Sequence, residues 1–236
     1  MIQYIEQQVN RRWSQPIGEF PIPGQKASEE TRREQILTAA HAVASRDGID
    51  GLTLRAVAAR AKLSHGLVLF HFRRKDELVT ALLDRVLATT FLLSVSDDVL
   101  GIPDAVSRFV AVIRQEMDRV SQEPRRMRLF FEYWALGSRH GRIRTKVSAA
   151  LSRYRAAFRT FAEDVLETDS AKFTGVTPDG LAAVAVSLIN GCAVQAMIDP
   201  ERFDIAQYRA AAQGVMGQPA ARAAHRGPRV AAATLA

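Results

Sequence analysis

Between Thr53 and Lys75 the chain reads T-L-R-A-V-A-A-R-A-K-L-S-H-G-L-V-L-F-H-F-R-R-K. Six basic residues (Arg55, Arg60, Lys62, Arg73, Arg74, Lys75) and two histidines, His65 and His71, stand there without one acid. Ser64, His65 and His71 are potential nucleophile and base, but no nearby acid exists to orient a histidine as a catalytic triad requires. The whole sequence has no H-E-x-x-H, no G-x-S-x-G and no phosphate loop, and its histidines lack metal spacing. A single cysteine, Cys192, makes neither an intramolecular disulfide nor a thiol-rich metal site. The expectation is therefore no enzyme, no metal and no cofactor. The chemistry left to this stretch is attraction of a polyanion, which would release counterions on binding. Net charge is 32 minus 25, or +7, and this segment alone supplies six of the seven. Charge by itself leaves two readings open, a DNA-binding surface and a solvated basic face.

The elements around these residues favour the first. Thr53 is placed to cap a helix from Leu54 to Ala61, and Ser64 a second from His65 to about Phe72. Lys62-Leu63-Ser64 makes the connection between them. Leu54, Val57, Ala58 and Ala61 form one apolar face, and the small Ala58 and Ala61 let another helix cross closely. Leu63 is expected buried in the turn, with Val68 and Phe72 seating the second helix. That is the pattern of a helix-turn-helix, whose second helix lies in the DNA major groove. Before it, Ser28 caps a helix carrying Ile36, Leu37, Ala40, Val43 and Ala44, stopped at Asp47-Gly48. After it, Leu78, Leu82 and Val86 mark a longer helix.

The run Ala61-Lys62-Leu63-Ser64-His65-Gly66-Leu67-Val68-Leu69-Phe70-His71-Phe72-Arg73-Arg74-Lys75-Asp76-Glu77-Leu78 resembles the recognition-helix pattern of the TetR family of bacterial transcription regulators. Ser64, Gly66, His71, Phe72, Lys75 and Leu78 match it in register, and Ile36 to Gly48 match the family's first helix. Two positions depart from it. Lys62 replaces the turn glycine and must tolerate that turn's backbone. Leu69 stands where members often place a phosphate-binding tyrosine, so that hydrogen bond is absent and Lys62 is a candidate replacement. The resemblance implies that Thr53 and Ser64 cap helices and meet phosphates. It puts His65 and Leu67 nearest the base edges, with Gly66 allowing close approach. His71 and Lys75 would bind phosphate, with Arg55 and Arg73 as further partners. His71 has a structural reading too, and Phe70 either faces DNA or packs on the first helix.

The rest of the chain is also read as helical, giving an all-α protein of about nine helices. Ordinary composition, 47% apolar and 24% charged over 236 residues, excludes a disordered or low-complexity chain. The expected organisation is an extended arm over 1–27, a DNA-binding domain over 28–90, an effector and dimerisation domain over 91–216, and a disordered tail over 217–236. Arg11, Arg12 and Lys26 make the arm a candidate DNA contact. No apolar run is read as approaching the ~18–20 residues that cross a bilayer. No secretory signal is seen in residues 1–10, and a lone cysteine suits a cytoplasmic location.

The resemblance implies a homodimer formed through the last two helices, about 178–198 and 203–216, gripping a palindromic operator with recognition helices ~34 Å apart. Leu181, Val184, Ala185, Leu188 and Cys192 give the expected partner-facing stripe, with Gly191 letting the helices approach. It also implies an effector pocket among the middle helices. Its candidate lining is Phe109, Met117, Phe130, Phe131, Trp134, Tyr154, Phe158 and Phe161, with Asn190 and Gln195 as polar handles. Aromatics at this spacing read equally as core. The segments Phe131-Glu-Tyr-Trp134 and Leu188 to Gln195 are similar to the BetI-like branch, whose namesake responds to choline. Glu132 beside aromatics would suit a quaternary ammonium. The basic run Arg125, Arg126, Arg128, Arg139, Arg142, Arg144 and Lys146 reads as a solvated face, with an anionic effector or DNA as alternatives. A second functional reading keeps DNA binding without a sensor, as an architectural protein with a filled core.

Overall fold

The structure, a computed structural model, describes residues 28–91 and 93–217. The arm over 1–27, with its candidate DNA contacts, and the tail from 218 lie outside the described residues. Within them are ten helices and no strand: α1 (Glu29–Gly51), α2 (Leu54–Ala61), α3 (His65–His71), α4 (Lys75–Thr90), α5 (Asp97–Leu100), α6 (Ala105–Ser121), α7 (Pro124–Gly137), α8 (Gly141–Thr168), α9 (Pro178–Ile198) and α10 (Ile205–Gly217). The helix beyond the expected nine is α5, whose four residues are too few to show a period.

Local chemistry explains most boundaries. The Ser28 hydroxyl accepts the Thr31 N–H at 3.1 Å, with Glu29 and Glu30 in the first turn of α1, where the helix dipole favours acids. Gly48 breaks α1 at φ 74°, ψ 177°, and one more helical turn carries the chain to Gly51. At the other end, Asp204 accepts the N–H groups of Ala206 and Gln207 at 2.8 and 3.1 Å. The last helix therefore begins at Ile205, not Phe203.

α1 to α4 pack around Ile36, Ala40, Val57, Val68, Phe72 and Leu78, all buried. α6 to α9 close around Phe130, Tyr133, Phe158 and Ile189, and one continuous apolar core joins the two groups. Polar contacts fasten the join, among them these three. The Tyr133 hydroxyl donates to the Val79 carbonyl at 2.8 Å, Lys146 pairs with Asp84 at 2.5 Å, and the Ile49 N–H donates to Glu132 Oε2 at 2.7 Å.

One sequence expectation is corrected here. α9, 21 residues with a mean hydropathy of 1.9 in its most apolar window, is long and apolar enough by composition to cross a membrane. Alanines and glycines disguise the run. Ala182, Ala185, Val186, Ile189, Cys192 and Ala193 are buried in the protomer, where α9 packs on α6 and α8.

Candidate nucleic-acid interface

α2 and α3 meet through a three-residue turn built as the sequence requires. The Thr53 hydroxyl accepts the Ala56 N–H at 3.1 Å and the Ser64 hydroxyl accepts the Leu67 N–H at 3.2 Å. Lys62 sits at φ 55°, ψ 41°, the only non-glycine residue with positive φ among those described. This left-handed step lets the Leu63 N–H reach back to the Ala58 carbonyl at 3.0 Å. α1 braces both helices. Gln35 Nε2 donates to the Ala61 carbonyl at 3.0 Å, and the Arg33 guanidinium lies 4.3 Å over the Phe72 ring. Leu63, expected buried, is half-buried against the core.

With Val68 and Phe72 turned inward, α3 offers the opposite face to solvent. His65, Gly66, Leu69, Phe70 and Arg73 are exposed there, Phe70 to 74%. Phe70 is thus not packed on α2, and its only ring neighbour among the described residues is His71 at 5.3 Å. A Cβ placed on Gly66 would meet nothing within 4 Å among the described residues. Neither internal packing nor backbone conformation therefore demands a glycine there. Thr53, Arg55, Lys62 and Ser64 are exposed around this face, while Leu67 and His71 are half-buried. Lys75 is half-buried as well, its Nζ donating to the Asp50 carbonyl at 3.1 Å. In the sequence pattern Leu69 stands out only as a missing tyrosine. Its place one turn after exposed His65 was the available signal that it shares the surface.

The expected effector residues divide. Phe109, Met117, Phe130, Tyr154 and Phe158 are sealed in the core, and Phe161 is half-buried. The Tyr154 hydroxyl donates to Glu116 Oε2 at 2.5 Å, and Arg119 pairs with the same fully buried carboxylate at 2.7 Å. Burial, then the Glu116 charge, push the Tyr154 phenol well above its ordinary range. Phe131, Trp134, Asn190 and Gln195, by contrast, come together along an open groove of about 480 Å³ between α7 and α9. Glu132 does not join them, being engaged by α1 instead.

The expected partner-facing stripe is corrected by burial. Ala185 and Cys192 are fully enclosed in the protomer. Gly191 makes room for Tyr208 of α10, whose hydroxyl would lie 3.2 Å from an added Cβ. Val184 is exposed, Leu181 and Leu188 are half-buried, and Val194 and Ile198 extend the exposed apolar line.

Residues 36–82 match the model described as bacterial regulatory proteins, tetR family, and residues 105–215 match BetI-type transcriptional repressor, C-terminal. The chain belongs to the TetR family of transcriptional regulators. This TetR-family chain is 28% identical to the HTH-type transcriptional regulator in the dhlA 5′ region of Xanthobacter autotrophicus, over 189 residues, 78% of this chain and 88% of the relative. It is 30% identical to the HTH-type transcriptional regulator BetI of Burkholderia cenocepacia over 106 residues, 45% of this chain and 55% of BetI. The match thus spans about half of that relative's length. Among solved structures, a transcriptional regulator from Saccharomonospora viridis in complex with choline aligns with a TM-score of 0.63 at 18% identity, covering 80% of this chain and 97% of that one. That likeness establishes a shared fold, a helix-turn-helix domain followed by a helical C-terminal domain.

Proposed function

We propose that this TetR-family regulator is a cytoplasmic homodimeric repressor that holds a palindromic operator with α3 and releases it when a small molecule binds its C-terminal helices. The carrying observation is Gly66: exposed, in ordinary helical conformation, with open space where a side chain would stand. A glycine in that setting weakens its own helix, which makes sense if an outside surface must approach closely. Exposed Phe70 and His65 beside it supply apolar and hydrogen-bonding contact to base edges, and Arg55, Lys62, Arg73 and Lys75 supply charge for phosphates.

The effector is proposed to enter at the groove of Phe131 and Trp134, with Asn190 and Gln195 as polar contacts. A cationic ligand of the choline type fits two aromatic faces, and the BetI-type match of the C-terminal helices favours it. The sealed packing of Phe130, Tyr154 and Phe158 favours a second reading, a DNA binder without a sensor. Loss of operator binding on titration with choline or a related ligand separates the two.

The direct test is Gly66→Ala in a gel-shift assay with the gene's own upstream DNA. The expected result is an unchanged or higher melting temperature with affinity reduced at least about tenfold, equivalent to about 1.4 kcal/mol. Unchanged affinity in that variant would remove α3 from the DNA interface.

A further inference from the structure

An open cleft of about 1030 Å³ lies where α1 and the end of α2 face the α6–α7 connection. Five arginines line it: Arg46 from α1, Arg60 from α2, and Arg125, Arg126 and Arg128 from the start of α7. Its one lining carboxylate, Glu123, is taken up by Arg126 at 2.5 Å, and Arg46 is paired with Asp47 at 2.7 Å. Arg60, Arg125 and Arg128 have no acidic partner among the described residues. Arg125, Arg126 and Arg128 open the basic run over 125–146, and the fold sets these three beside Arg46 and Arg60 in a concave site.

Two features within the cleft point to a ligand. The Ser45 hydroxyl is shielded from solvent and has no hydrogen-bond partner among the described residues, a condition that is unfavourable unless something fills it. His41 also lines the wall. Burial, with Arg85 and Arg126 nearby, holds its pKa below the ordinary 6.5, so near neutral pH it adds a hydrogen-bond donor without adding repulsion. The α7 N-terminus opens here too, and the Glu123 side chain makes no cap bond to its first-turn N–H groups.

We propose that this cleft binds a small polyanion, a molecule carrying several carboxylate or phosphate groups, between the DNA-binding helices and α7. A duplex backbone is the poorer occupant, because its phosphates lie on a convex rod and the Ser45 hydroxyl lies below the surface. The walls come from both parts of the fold, so an occupant resists their relative movement. That consequence, unlike the binding itself, rests on the operator-binding reading.

The test is calorimetric titration of the full chain without DNA, at low salt, with citrate and separately with pyrophosphate. Saturable binding of one molecule per protomer is expected for at least one probe; citrate identifies a carboxylate ligand and pyrophosphate a phosphate ligand. Arg125→Gln/Arg128→Gln should weaken it at least about tenfold, the scale of losing charge-assisted hydrogen bonds. Both side chains are exposed and have no acidic partner among the described residues, so the fold should survive, as circular dichroism would verify. Arg142→Gln/Arg153→Gln, which removes the same charge from exposed positions outside the cleft, should leave binding intact. The proposal fails if neither probe saturates, or if the control variant loses as much as the cleft variant. It fails equally if the cleft variant keeps anion binding and loses only DNA affinity, which would assign these arginines to the duplex.

Discussion

Lys62 holds a left-handed conformation in which its Cβ crowds the following carbonyl, a strain of about 1–2 kcal/mol. A glycine would relieve it, although glycine's freer unfolded chain takes back part of the gain. Lys62→Gly should therefore raise the melting temperature modestly. If the exposed ammonium meets a phosphate, the same change should lower DNA affinity several-fold and reduce the salt slope by about 1. A variant whose stability and salt slope both stayed fixed would leave Lys62 without the role assigned to it. At this scale the sequence is readable wherever the interaction is local. Thr53 and Ser64 bond N–H groups three residues ahead, and the turn residues follow from two helices separated by three positions. Gly191 was not readable in this way, because the atom it accommodates belongs to Tyr208 on another helix.

At the scale of elements, the contact between α1 and α7 sets how the two parts of the fold meet. Gly48 turns the chain so that the Ile49 N–H faces outward from α1, and the Glu132 carboxylate receives it at 2.7 Å. Ile49 is almost fully buried, so an amide deprived of that carboxylate has little access to water. Glu132→Ala should cost about 1–3 kcal/mol, read as a lower urea midpoint with an unchanged m-value. Glu132→Gln, which retains an acceptor oxygen, should recover part of it. Equal stability of Glu132→Ala and the parent would show that water replaces the bond. The periodicity of α1 and α7 was plain from their apolar residues, but a pair 83 positions apart leaves no trace in either helix. In sequence Glu132 stands beside the aromatic Phe131 and Trp134, but a helix turns adjacent residues about 100° apart, and its carboxylate faces α1 instead.

For the whole molecule, α9 decides whether one recognition helix acts alone or as one of two. Val184, Ser187, Val194 and Ile198 follow one another at steps of three, seven and four, the spacing of a helix-packing seam. Val184, Val194 and Ile198 are large apolar residues left exposed, Ile198 to 73%. On the opposite side Ala185, Ile189 and Cys192 form an equally apolar stripe that faces α6 and α8. Two apolar stripes on one helix explain why the sequence located the element correctly but assigned Ala185 and Cys192 to the wrong neighbour. Hydropathy marks a face as dry without naming what dries it. If the outer stripe joins two protomers, Val184→Glu/Ile198→Glu buries two unpaired carboxylates at the seam and should convert the dimer to a folded monomer in sedimentation equilibrium. Losing the tether between two half-sites should then weaken operator binding by at least about a hundredfold, since linkage of two weak contacts supplies that factor. The two readouts bear on different claims. A variant that remains dimeric places the seam elsewhere, whereas a monomer with undiminished affinity would mean that α3 needs no second copy and the operator no palindrome.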